Sequence, residues 1–137
     1  SQPKSDAITR LRGQIVGVGS LSAIIGMPTA ESYGSSKAAA NYLLEAFRID
    51  VASQGVDVSV VNPGFVETPM TATNHFPMPF LMDADAAAKR IIKGIDARRH
   101  KIQFPKRLHW ILAFMACFPS LWFRINRAIL ARSTPKT

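Results

Sequence analysis

Two short runs of β-branched residues, Gln14–Ser20 (QIVGVGS) and Val56–Asn62 (VDVSVVN), do most to limit what this chain can fold into. Each is short, rich in β-branched residues and bounded by glycine or proline. That pattern belongs to strands covered on both faces, as in parallel sheets. Between them, residues 21–27 read as a glycine-containing connection that ends at Pro28. Residues 30–53 then read as one long helix. Thr29 is placed to cap it, and Leu43, Phe47 and Val51 recur every four residues along one face. Gly55 is placed to stop it.

Pro63-Gly64 ends the second run. Residues 68–82 contain Pro69, Pro77 and Pro79 among aromatics and methionines. This predicts an apolar loop without a regular element, of the kind that forms lids or touches substrates; Phe76, Phe80 and Leu81 either line a pocket there or pack the loop. Asp83 reads as the N-cap of an amphipathic helix reaching about Arg99, with Ala87, Ile91, Ile92 and Ile95 inward. Residues 101–104 read as a short edge strand, and residues 1–12 as the end of a helix preceding the first strand. The order strand, helix, strand, loop, helix, strand predicts parallel strands with helical crossovers in an α/β layered sheet.

At 137 residues, 47% hydrophobic and 19% charged, the composition is that of a globular chain and excludes a disordered tail. Cys117 is the only cysteine, which excludes an intrachain disulfide and fits a reducing compartment. Its apolar neighbours predict a buried thiol. Residues 1–12 are polar and lack the apolar core of a signal peptide, consistent with a cytoplasmic location. His75, His100 and His109 have no ligand spacing, so no metal site is expected.

Charge is split along the chain. Residues 1–88 hold five Lys/Arg against eight Asp/Glu, whereas residues 89–137 hold twelve against Asp96 alone. Within the basic part, His109–Phe123 is apolar but too short to span a bilayer, and Pro119 interrupts it. Lys106, Arg107, Arg124, Arg127 and Arg132, with Trp110 and Trp122, suggest a segment lying at a membrane surface over residues 106–132. Cover for a substrate pocket and a subunit contact are the competing readings. Nucleic acid is not expected as a partner, since no recognisable binding module accompanies the charge.

The chemistry-bearing residues cluster around the first strand and the long helix. Tyr33 and Lys37 stand at i and i+4, so both emerge on one helical face. A lone YxxxK is common, and a solvated helix face explains it. Three further features shift the balance. Ser20 lies at the end of a buried strand, where α/β sheets present ligand-binding groups. The residues around Tyr33 are small (Ser32, Gly34, Ser35, Ser36, Ala38, Ala39, Ala40) and leave room for a flat ligand. The second strand runs into Asn62-Pro-Gly-Phe-Val-Glu-Thr68. Gly13, Gly17 and Gly19 imitate a GxxxGxG phosphate loop, but Ile15, Val16 and Val18 between them are strand-like, and Pro28 follows too soon for a helix.

Together, Ser20, YGSSK (33–37) and NPGFVET (62–68) resemble the short-chain dehydrogenase/reductase family in order and spacing over roughly residues 8–105. The resemblance implies the catalytic, C-terminal half of a Rossmann-like, doubly wound parallel sheet in residues 1–105, incomplete, with a basic, apolar helical tail in residues 106–137. FPKR (104–107) followed by such a tail is similar to some bacterial members. The implied activity is NAD(P)-dependent interconversion of a carbonyl and a secondary alcohol, on an apolar substrate. Tyr33 would be the general acid/base, and Lys37, one turn away, would favour its phenolate and bond the nicotinamide ribose. Ser20 would hold the substrate oxygen. Pro63, Gly64, Val66 and Thr68 would border the cofactor, NAD or NADP, with the choice between the two unread. The family's glycine-rich phosphate loop and catalytic asparagine have no counterpart here; Asn41, Asn62, Asn74 and Asn126 lie in the wrong region. A homodimer or tetramer is implied for a complete member. A truncated, inactive interaction protein or membrane-surface protein is the alternative.

Overall fold

The computed structural model describes residues 12–74 and 77–133. The helix end expected before the first strand lies outside the described residues, as do His75 and Phe76. The elements are β1 (Gly13–Val18), α1 (Glu31–Val51), β2 (Val56–Pro63), α2 (Pro69–Ala72), α3 (Ala84–Asp96), β3 (Lys101–Phe104), α4 (Lys106–Ala116) and α5 (Pro119–Ser133). A one-turn 3-10 helix, Leu21–Ala23, follows β1.

The three strands form one parallel sheet in the order β1-β2-β3. Gly13 pairs with Val56 and Val18 with Val61, while Val60 pairs with Lys101 and Pro63 with Phe104. Side chains alternate across the sheet, and the two faces receive different helices. Gly17 of β1 lies under Leu44 of α1. Gln14 points to the other face, where its amide donates to Ser59 Oγ (3.1 Å) and to the Ile95 carbonyl of α3 (3.0 Å). Helices therefore cover both faces, which is the doubly wound arrangement.

Gly17 and Gly19 have a packing role. A Cβ at Gly17 would overlap the Leu44 side chain, and one at Gly19 would overlap the amide oxygens of Asn41 and Asn62. Glycine here lets α1 approach the sheet closely, and the imitation of a phosphate loop is a by-product of that approach.

Apolar burial gathers in two places. Val61, Ala87, Ile102 and Phe104 form one cluster beneath α3, with Val66, Met82, Ile91 and Ile95 around it. Leu21, Leu108 and Leu112 form the other, with Ile24, Met27, Phe65 and Trp122 against them, so α4 is sewn onto the turn that follows β1.

Several local expectations are corrected. β1 spans Gly13–Val18, stopping short of Ser20, and is not covered on both faces: Ile15, Val16 and Val18 are exposed because no strand lies beyond it in the described sheet. Leu43 and Phe47 share one face of α1, as their spacing predicts, and that face is exposed; α1 presents Lys37, Asn41 and Leu44 to the sheet. Thr29 does not cap α1. It takes φ 61°, and Ala30 occupies the N-cap without a side-chain bond. The prolines of residues 68–82 do not exclude a helix, since Pro69 opens α2, whose N-terminal end is closed by a capping box of Thr68 and Thr71. Ile92 points outward, α3 stops at Asp96, and Cys117 is exposed at the end of α4.

Candidate active site

The end of β1 delivers the chain into a tight turn. Ser20, itself buried, stands at the N-cap of the 3-10 helix, and its Oγ accepts from the Ser22 amide (3.1 Å) and the Ser22 hydroxyl (2.9 Å). With two donors on its oxygen, the Ser20 hydroxyl keeps its own hydrogen for a third group. This turn packs on the start of α1: a Cβ at Gly34 would sit 3.3 Å from the Ser22 carbonyl oxygen.

α1 carries Tyr33 and Lys37 on one face, as their spacing requires. The Tyr33 side chain is half exposed, and Lys37 Nζ lies 5.7 Å from its ring centroid. The same ammonium donates to the Val18 carbonyl at 3.3 Å. That single bond ties α1 to the last residue of β1 and leaves two N–H donors of Lys37 for other partners. Ser20, Tyr33 and Lys37 are thus gathered at the carboxyl end of a parallel strand, where open α/β sheets bind ligands.

The Pro63–Thr68 segment continues from the neighbouring strand. Gly64 donates its amide to the Phe104 carbonyl (2.7 Å), and a Cβ there would press on Leu108 and Pro105, so glycine is needed for packing against α4. Val66 bridges to Met82, and its carbonyl accepts from Thr71 Oγ1 (2.7 Å). The Thr68 hydroxyl accepts from the Thr71 amide (3.2 Å), and Thr71 Oγ1 accepts from the Thr68 amide (2.8 Å). Thr68 therefore closes a capping box, so its hydroxyl holds the segment's shape.

Two contributors were not singled out from the sequence. Ser22 is one; its signal is a serine two residues after a strand-ending serine, the spacing of a local side-chain-to-backbone turn. Asn41 is the other. It stands one further turn along the Tyr33–Lys37 stripe, and its Oδ1, like that of buried Asn62, is without a hydrogen-bond partner.

A dinucleotide fits part of this surface. The half-exposed phenol, the two remaining Lys37 donors and the Ser20 hydroxyl offer the donors and acceptors that a ribose needs. The phosphates find no cradle among the described residues, because Gly13 and Gly17 lie inside β1 and Gly19 packs under α1.

A family profile described as short chain dehydrogenase matches residues 5–77, more than half of the chain and all of Ser20, Tyr33, Lys37 and Pro63–Thr68. An uncharacterized oxidoreductase of Myxococcus xanthus is 41% identical over 101 residues, covering 74% of this chain and 40% of that protein. An 11-beta-hydroxysteroid dehydrogenase-like protein of Arabidopsis thaliana is 29% identical over 119 residues, covering 83% of this chain and 38% of its own length. Among solved structures, a short-chain dehydrogenase from Burkholderia cenocepacia in complex with NADP superposes with a TM-score of 0.67 at 25% identity, covering 90% of this chain and 48% of that one. The chain thus spans less than half the length of these relatives. With a matching family profile, a parallel sheet wound on both faces and a serine, tyrosine and lysine gathered at one strand end, this chain belongs to the short-chain dehydrogenase family.

Proposed function

We propose that this chain forms the catalytic wall of an NAD- or NADP-dependent oxidoreductase that interconverts a carbonyl and a secondary alcohol. The observation that carries the reading is the convergence of Ser20, Tyr33 and Lys37 at the end of β1, through the Lys37–Val18 bond and the contact of the Ser22 turn with α1. Bound nicotinamide dinucleotide supplies or accepts the hydride at the substrate carbon. In the reducing direction, the Ser20 hydroxyl donates to the substrate carbonyl oxygen and orients it. The Tyr33 hydroxyl gives its proton to that oxygen, and the Lys37 ammonium stabilises the phenolate left behind. Alcohol oxidation runs the same steps in reverse, with the phenolate taking the hydroxyl proton. Lys37 would also hold the nicotinamide ribose, and Pro63, Gly64, Val66 and Thr68 would border the ring.

The substrate class that suits the surroundings is apolar, since Ile24, Ile25, Met27 and Phe65 gather around the turn that bears Ser20. The exposed outer face of α1, with Tyr42, Leu43, Phe47 and Ile49, suits a helical contact between copies of the complete protein.

The test is Tyr33→Phe in the complete protein, assayed with NADH and NADPH against a panel of apolar ketones. Turnover should fall by about 10²–10⁴-fold, with nucleotide binding by fluorescence titration little changed. Unchanged turnover would reject Tyr33 as the acid/base. A complete protein that binds neither nucleotide would instead favour a non-catalytic role for this fold.

A further inference from the structure

From the surface of α4 and α5 we infer that this helical pair docks the protein onto an anionic phospholipid bilayer, lying in the plane of the interface. α4 is divided lengthwise. Leu108 and Leu112 seal against Leu21, while Trp110, Ile111 and Phe114 stand exposed on other sides of the helix, Trp110 at 67% and Phe114 at 61%. Phe118, just past the helix, stacks on Phe114 with ring centroids 5.1 Å apart and extends the exposed aromatic strip.

α5 is anchored inward through Trp122, whose indole donates to the Gly26 carbonyl (2.6 Å), while Asn126 donates within the helix to the Trp122 carbonyl (2.9 Å). Leu121, Phe123 and Ile125 remain exposed, Phe123 at 64%. The two helices bend away from each other by 112°, and neither is long and apolar enough to cross a membrane.

The charges decide the occupant. Lys106, Arg107, Arg124, Arg127 and Arg132 belong to these helices, and no acidic residue follows Asp96. Among the described residues, the ion pairs are Arg98–Asp57 and Lys101–Glu45, so neither uses a cation of α4 or α5. A second copy placed on this face would set like charges against one another around the aromatic strip. A nucleic acid would satisfy the cations and could stack its bases on the aromatics, but it would leave the exposed aliphatic side chains Ile111, Leu121 and Ile125 in water. An anionic bilayer surface receives both, taking apolar side chains below its headgroups and placing cations among its phosphates.

The test reads lipid binding and not turnover, so its failure is distinguishable from a failure of the Tyr33 chemistry. The complete protein should be sedimented with phosphatidylcholine vesicles and with vesicles also containing phosphatidylglycerol. Binding is expected only to the anionic vesicles and should weaken as salt is raised. The double variant Arg124→Glu/Arg127→Glu should lose at least about tenfold in partitioning. Trp110→Ser/Phe114→Ser should lose a similar factor, with circular dichroism checking that each variant folds. Protein that stays in solution with anionic vesicles overturns the inference. So does light scattering in which these variants break an oligomer while vesicle binding is absent, since a second copy would then own the face.

Discussion

Gly94 on α3 stands directly over Ile102 of β3, where an added Cβ would come within 2.6–2.9 Å of three Ile102 carbons. Valine at this position would push the helix off the sheet, and overpacking of this kind destabilises by about 1–3 kcal/mol. Gly94→Val should lower the urea midpoint accordingly, with the transition slope unchanged. Individual residues were legible where chemistry and spacing coincided. Tyr33 and Lys37 share a face by periodicity alone, and Ser20 is marked by its place at a strand end. Thr29 was misread because a β-branched residue with φ 61° is uncommon; nothing in its side chain distinguishes that use from capping. Thr68 was read as bordering a cofactor, and its hydroxyl accepts from the Thr71 amide of its own segment.

Among the elements, α3 shows most directly how a local signal becomes structure. Asp83 Oδ2 accepts from the Ala86 amide at 3.1 Å, satisfying one of the orphan donors of the first turn. Asp83→Ala should cost about 1 kcal/mol, read as a lowered urea midpoint, and Asp83→Asn should restore most of it. The strands and the long helices were legible because their periods differ and their ends carry glycine, proline or a cap. α2 was not, because a four-residue helix has no period to detect and is held by the reciprocal Thr68–Thr71 bonds. The orientation of α1 was also hidden. Its apolar residues run nearly all round, and only the close approach allowed by Gly17 and Gly19 decides which stripe meets the sheet.

At the scale of the whole molecule, two groups link stability to pH. His109 sits below the ordinary imidazole range because burial disfavours its charged form and Lys101 adds repulsion. Glu45 is held below the ordinary carboxylate range by its hydrogen bond from Lys101, against partial desolvation. Both folded-state values lie below the unfolded ones, so both contributions are present above those unfolded values and fade as pH falls. Stability should therefore decline first as pH drops below about 6.5, through His109, and again below about 4.5, through Glu45. Urea midpoints measured from pH 7.5 downwards test this, and His109→Gln should remove the upper step. The overall winding of the sheet was legible from element order. Exposure was not, because whether Ile15 or Val18 meets water depends on what lies beside β1 rather than on β1 itself.

That uncovered margin of β1 has a practical consequence. Its main-chain groups are joined to β2 on one side only, and its bare β-branched side chains add a greasy lip to the unjoined side. A polypeptide with such a margin behaves as a socket. A further strand laid along that side would pair those main-chain groups and turn the lip into an interior seam. The strand end that presents Ser20 thus lies beside a ready seat for a further strand.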